Sequence, residues 1–148
     1  MESQPFRNIL LLVEPSEEGQ HAARVAIDIA VLCRARLTAL HIVNRMSINR
    51  IMRFADRSAT EIEIELEENG WKYLYLVEEL SKERGVATLI LQKGGAVDAE
   101  VVSEAERLEA DLIVLAYPPQ AHGQVRRLGQ GCVEKTVEHA KVPVLVVK

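Results

Sequence analysis

The stretch that decides the fold is Asp111-Leu-Ile-Val-Leu-Ala116, followed by a polar loop, by Gly131-Cys132 and then by Val142-Pro-Val-Leu-Val-Val147. Both apolar runs are continuous, as is typical of strands that are covered on both faces. Gly131-Cys132 opens a short helical pattern, and the free N–H groups at a helix N-terminus favour anions. A loop of this kind at the carboxyl end of a strand is where α/β sheets bind ligands.

The chain before this stretch alternates strands with helices. Apolar runs predict strands at Asn8–Val13, Arg36–Val43 and Ala87–Lys93. Between the first two, apolar residues at helical spacing predict a helix that begins at Ser16, a good N-cap, and reaches Cys33. A strand–helix–strand connection pairs parallel strands, so we expect one α/β domain over residues 1–148.

Residues 58–84 carry two conflicting patterns. Glu61-Ile-Glu-Ile-Glu-Leu-Glu67 alternates with period two, which favours a strand, while the following apolar residues recur at helical spacing. Ser58 and Glu61 have the spacing of a capping box. We therefore predict one long helix, in which Gly70 marks a kink or a close contact.

The segment Asn44–Arg57 is rich in arginine and in large apolar residues. A basic amphipathic segment can lie on a membrane or on a partner. We favour the alternative, a mobile connection with an apolar underside, which would leave the sheet near the cleft and act as a lid over a ligand.

Composition and motifs narrow the functional classes. The net charge of −4 argues against a nucleic-acid-binding surface, and no apolar run approaches the ~20 residues that span a bilayer. The first residues lack the apolar region of a signal peptide, so we expect a cytoplasmic protein. Cys33 and Cys132 form no metal or disulfide pattern, and no hydrolytic motif is visible, so we expect no enzyme.

The chain resembles the universal stress protein family. That family's adenine-nucleotide motif is Gly, two residues, Gly, nine residues, Gly and then Ser or Thr. An ungapped match places the third glycine at Gly131 and the Ser/Thr at Cys132, while the first two glycines fall on Pro118 and Ala121. The C-terminal run Pro143–Val147 fits the family's usual ending.

The resemblance implies a doubly wound, five-stranded parallel sheet of order 3-2-1-4-5, with helices on both faces and a cleft between the first and fourth strands. It assigns the cleft to Glu14 in place of an Asp that faces the adenosine moiety, to Ser16, to Ile42 at the adenine, and to Gly95, Gly131 and Cys132. Simpler interpretations stay open at three of these positions. Glu14 could be a strand-end acid in water, Ser16 only a helix cap and Gly95 only a tight turn.

Two functions follow from the resemblance: a nucleotide-sensing module, or an interaction module whose cleft has lost strong ATP binding. Pro118 and Ala121 favour the second, because proline removes an N–H donor and alanine resists a left-handed turn. The sequence assigns no firm cofactor, and AMP, ADP or ATP would bind weakly. We also expect a homodimer formed through the apolar strand Val142–Val147, and an unidentified protein partner. A helix N-terminus at Cys132, with Arg126 and Arg127 nearby, would favour the thiolate, and the alternative that we favour is a partly buried thiol that takes the place of Ser.

Overall fold

The computed structural model describes residues 4–117 and 128–148, in which strands and helices alternate. The elements are β1 (Asn8–Leu12), α1 (Glu17–Cys33), β2 (Arg36–Asn44), α2 (Arg45–Phe54), α3 (Ala59–Glu83), β3 (Thr88–Gly95), α4 (Val97–Arg107), β4 (Leu112–Ala116), α5 (Leu128–His139) and β5 (Val144–Val147).

The strands form one parallel sheet of order β3-β2-β1-β4-β5, which confirms the predicted topology. β1 lies at the centre, with Leu10 in register with Thr38 of β2 on one side and with Ile113 of β4 on the other. The connections after β1 and β4 therefore run in opposite directions. The carboxyl ends of these two strands, where the connections diverge, are where such sheets bind ligands.

Two apolar layers enclose the sheet because successive strand residues point to opposite faces. Ile9 and Leu11 of β1 face the layer that α1 and α3 cover, and Leu10 and Leu12 face the layer that α4 and α5 cover. All four side chains are buried. Burial of each stabilises the fold by about 1.5–3 kcal/mol, so the sheet holds the crevice rigidly.

The long helix predicted for residues 58–84 is confirmed as α3. Ser58 caps it, since its Oγ accepts a hydrogen bond from the N–H of Glu61 at 3.2 Å. Gly70 is buried, and a Cβ at this position would clash with the side chains of His41 and Gln92. The glycine therefore marks a close contact between α3 and the sheet.

The contact under Gly70 is polar. Nδ1 of His41 donates to Oε1 of Gln92 at 2.7 Å, and Nε2 of Gln92 donates to the carbonyl of Glu67 at 3.2 Å. Burial lowers the pKa of His41, and the bond to Gln92 opposes this shift. A buried polar pair is stable only when it is hydrogen-bonded, and this one is.

Residues 45–54, for which the sequence predicted a mobile connection, form the helix α2, so that prediction is wrong. The side chain of Asn44 caps the helix by accepting from the N–H of Met46 at 3.0 Å. The predicted apolar underside exists: Ile48 is buried against Val43 of β2 and Ile62 of α3. The lid over a ligand stays a prediction.

Candidate functional site

The candidate site lies at the carboxyl edge of the sheet. β1 leads into Glu14 and Ser16, Ile42 lies near the end of β2, and Gly95 ends β3. The parallel register pairs Ile42 with Lys93 and Asn44 with Gly95, so these strand ends meet at one edge. The predicted loop residues Pro118, Pro119, Ala121, Gly123, Arg126 and Arg127 lie outside the described residues.

Glu14 is half-buried at the end of β1, so it is not fully surrounded by water. Burial raises the pKa of its carboxyl group to about 7, and the nearby charge of Glu18 adds to the shift. Water no longer stabilises the charged form, so the group holds its proton up to near-neutral pH. A half-buried acid with a raised pKa, just after a central strand, is a functional candidate as well as a cost to folding.

Ser16 is the N-cap of α1, as the simpler interpretation predicted. Its Oγ accepts from the N–H of Gly19 at 3.0 Å, and its own N–H donates to the carbonyl of Glu14 at 2.9 Å. A Cβ at Gly19 would clash with that carbonyl, so the turn after β1 is compact. The hydroxyl hydrogen of Ser16 is not used by the cap and is available as a donor to a ligand.

Ile42 and Gly95 shape the apolar and backbone parts of the site. Ile42 is buried in the layer beneath α4. Gly95 has φ of +145°, a conformation that side chains rarely adopt, and a Cβ there would lie 3.0 Å from Cγ of Glu100. This glycine therefore lets β3 turn into α4 where a side chain would press against Glu100.

A cluster of charges that the sequence analysis missed fixes α4 to β3. Glu104 is 2% exposed, and its Oε1 accepts from Nζ of Lys93 at 2.7 Å, while its Oε2 accepts from Arg107 at 2.6 and 3.0 Å. Lys93 also pairs with Glu100 at 3.0 Å. The hydrogen bonds from Arg107, and then those from Lys93, lower the pKa of Glu104 despite its burial. The i, i+4, i+7 spacing of Glu100, Glu104 and Arg107 places the three on one face of a helix, and it was the sequence pattern that could have predicted this cluster.

Cys132 lies inside α5 rather than at its start, because the helix begins at Leu128. Burial and the charge of Asp98 raise the pKa of its thiol, with a smaller contribution from Glu14, while a hydrogen bond from the backbone of Asp98 and the charge of Lys135 oppose the shift. The raised pKa favours the partly buried thiol over the thiolate, and Arg126 and Arg127, on which the thiolate also depended, lie outside the described residues. Gly131 is exposed, and no described residue lies within 4 Å of a Cβ built there.

The residues of the candidate site differ in character. Ile42 is buried among apolar side chains, while the charges of Asp98 and Glu14 act on the thiol of Cys132. Within residues 4–117 and 128–148, no group of three or more His, Cys, Asp or Glu side chains could hold a metal ion. No helix in the same part of the chain is long and apolar enough to cross a membrane.

A sequence profile of the universal stress protein family matches residues 5–148. The chain belongs to the universal stress protein family. A curated member from Methanocaldococcus jannaschii is 29% identical over 144 residues, which cover 97% of this chain and 82% of the relative.

Solved structures of the family share the fold. The universal stress protein UspA from Lactobacillus plantarum superposes with a TM-score of 0.79 at 20% identity, over 99% of this chain and 100% of the other. A universal stress protein from Archaeoglobus fulgidus, solved in complex with dAMP, has a TM-score of 0.66 at 18% identity, over 96% of this chain and 98% of the other.

Proposed function

We propose that this universal stress protein is a non-catalytic, cytoplasmic stress-response module whose cleft binds a nucleoside or nucleoside monophosphate in preference to ATP. The observation that carries the proposal is that the charges of Asp98 and Glu14 act on the thiol of Cys132, which makes this end of the cleft acidic. In the family motif, Cys132 occupies the place of a hydroxyl that bonds a phosphate oxygen. Here that place is next to carboxylates, and a thiol is a weaker donor.

The charges at this end oppose phosphate. A carboxylate about 6 Å from a phosphate charge costs about 3 kcal/mol at an effective dielectric constant of 20. A triphosphate carries more charge than a monophosphate and would extend further along the acidic wall. The repulsion also grows with pH, because the pKa of Glu14 is about 7 and its carboxyl group ionises in that range.

The sequence of the loop supports the same preference. Backbone N–H groups hold oxyanions in such loops, and Pro118 and Pro119 each remove one. Loss of two charge-assisted hydrogen bonds at ~1.5–3 kcal/mol each weakens affinity by several powers of ten. The adenosine end keeps its parts: Ile42 is buried beside the strand ends, and Ser16 has a free hydroxyl donor.

The alternative is a nucleotide-sensing module that binds ATP, ADP and AMP alike. Gly95 favours it, since the family resemblance gives its backbone, at φ of +145°, a close approach to the ligand. The relative solved with dAMP supports a monophosphate as the ligand for either function.

Calorimetric titration with AMP and ATP tests the proposal. We expect AMP to bind at least about tenfold more tightly than ATP, a difference of about 1.4 kcal/mol. Glu14→Gln removes one carboxylate and should raise ATP affinity more at pH 8 than at pH 6. Glu17→Gln, a change of the same kind in the exposed first turn of α1, should leave both affinities unchanged. Micromolar ATP binding by the unmodified chain would instead establish the sensing alternative.

We further propose that the chain forms a homodimer through β5, the strand at one edge of the sheet. Val144, Leu145 and Val146 are only half-buried in the single chain, and an uncovered apolar edge favours pairing with its own copy.

A further inference from the structure

We propose that the outer faces of α2 and α3 form a second, self-complementary surface that binds the same surface of another copy of this chain. This surface, the α2–α3 face, consists of the exposed side chains of residues 45–57 and 61–76. It is separate from β5, because α2 and α3 pack against β2 and β3 at the other side of the sheet.

The two helices carry opposite charges. Residues 45–57 contain four arginines and one aspartate, while residues 61–68 contain five glutamates and no lysine or arginine. Inside the chain, Arg57 uses two of the glutamates, since it pairs with Glu61 at 3.9 Å and with Glu65. In the described part of the chain, Arg45, Arg50 and Arg53 and the glutamates Glu63, Glu67 and Glu68 form no ion pair.

Large apolar side chains lie among these charges. On α2, Met46 is 62% and Phe54 85% exposed, and they lie on the same face as Arg50 and Arg53. On α3 the exposed apolar residues include Ile64, Trp71 and Tyr75, which follow one another at helical spacing together with Glu68. The rings of Trp71 and Tyr75 lie 5.8 Å apart, so the two form a single aromatic patch. Contiguous exposed apolar residues rimmed by charge are typical of interaction sites.

The opposite charges of α2 and α3 indicate that the molecule bound at the α2–α3 face is a second copy of the chain. A twofold axis that places α2 of one copy on α3 of the next also places α3 of the first on α2 of the second. Both halves of that contact then join arginines to glutamates and apolar residues to apolar residues. An anionic membrane or a nucleic acid fits less well, because the glutamates of α3 would face its phosphates.

The contact should be weak and sensitive to salt. α2 is ~15 Å long and the exposed part of α3 is ~24 Å long, at about 10 Å width each. That footprint is about half of the ~800 Å² per partner that a stable dimer buries. We expect dissociation constants on the order of 100 µM, tightening at low ionic strength.

Trp71 provides a direct readout because it is the one tryptophan of the chain and lies in the proposed contact. It is 37% exposed in the single chain. Its emission should shift to shorter wavelength as the protein is concentrated from ~1 µM to ~1 mM, and the shift should reverse in high salt. Dimerisation through β5 leaves Trp71 exposed, so this signal separates the two contacts. Emission that does not change over that range would overturn the proposal.

Charge reversal gives the sharper test. One variant carries Arg50→Glu with Arg53→Glu, and a second carries Glu63→Lys with Glu68→Lys. Each variant alone should self-associate with a dissociation constant at least roughly tenfold higher than that of the unmodified chain, because like charges then face each other. The equimolar mixture should recover the association, since both halves of the mixed contact are again complementary. Unchanged association of either variant, or a mixture that does not recover, would contradict the proposal.

A third variant controls for net charge. Arg7→Glu with Lys82→Glu changes the net charge by the same amount as the arginine variant, at exposed positions outside the α2–α3 face. It should associate like the unmodified chain. Its mixture with the variant that carries Glu63→Lys and Glu68→Lys should show no recovery of association. Circular dichroism checks that each variant is folded.

Discussion

At the scale of single residues, Glu14 makes the largest departure from what the sequence indicates. The sequence places it correctly at the end of β1, but its pKa of about 7 depends on burial that only the packed chain creates. The unfolded chain releases this proton near pH 4.5, while the folded chain keeps it to about pH 7. The free energy of unfolding should therefore fall as pH rises through this window.

Glu14→Gln tests this linkage. The unmodified chain should lose on the order of 3 kcal/mol of unfolding free energy between pH 4.5 and pH 7 through Glu14 alone. Urea unfolding across that range should show a smaller decline in the variant, while Glu17→Gln should decline like the unmodified chain. Parallel curves for all three proteins would show that Glu14 titrates normally.

At the scale of the elements, two glycines in helices make a matched pair. Gly70→Ala in α3 should lower the unfolding free energy by about 1–3 kcal/mol, because its Cβ clashes with His41 and Gln92. Gly131→Ala in α5 meets open space among the described residues, so it should gain roughly 0.5–1 kcal/mol from helix propensity. Thermal unfolding of both variants measures the difference. A stabilised Gly70→Ala variant would mean that His41 and Gln92 move aside without cost.

The elements also show how much of the fold could be predicted from the sequence. The capping spacing of Ser58 and Glu61 and the later apolar spacing were enough to predict α3 against a local strand pattern. α2 was missed because its cap, Asn44, is the last residue of β2, and because its arginines suggested a solvated connection. The cluster of charges around Glu104 was missed because one of its partners, Lys93, is on another element. Contacts of that kind follow from the fold and not from local sequence.

At the scale of the whole molecule, the two edges of the sheet differ. The N–H of Ile113 bonds to the carbonyl of Pro143, and the N–H of Tyr117 bonds to that of Val147, so the N–H of Val146 points away from β4. At the other edge, the N–H of Leu37 in β2 bonds to the carbonyl of Ala87, so Ala87 faces β2. Because successive residues of a strand face opposite sides, the N–H of Ile90 points outward from β3.

Proline at these two positions tests the dimer. Val146→Pro removes an outward donor at the β5 edge and should shift light scattering from dimer to monomer. Ile90→Pro removes the equivalent donor at the β3 edge and should leave the dimer intact. Circular dichroism controls for folding, because each change also removes a half-buried side chain. A Val146→Pro protein that remains a dimer would exclude pairing through this edge.

The close contact of Gly70 with His41 and Gln92 also constrains how this sequence can drift over evolutionary time. A larger residue fits at position 70 only after positions 41 and 92 have both become smaller, since the three share one space between α3 and the sheet. The order of substitutions would then decide which are tolerated, because the effects of residues in contact do not add. As long as His41 or Gln92 is kept, we expect position 70 to be held to glycine.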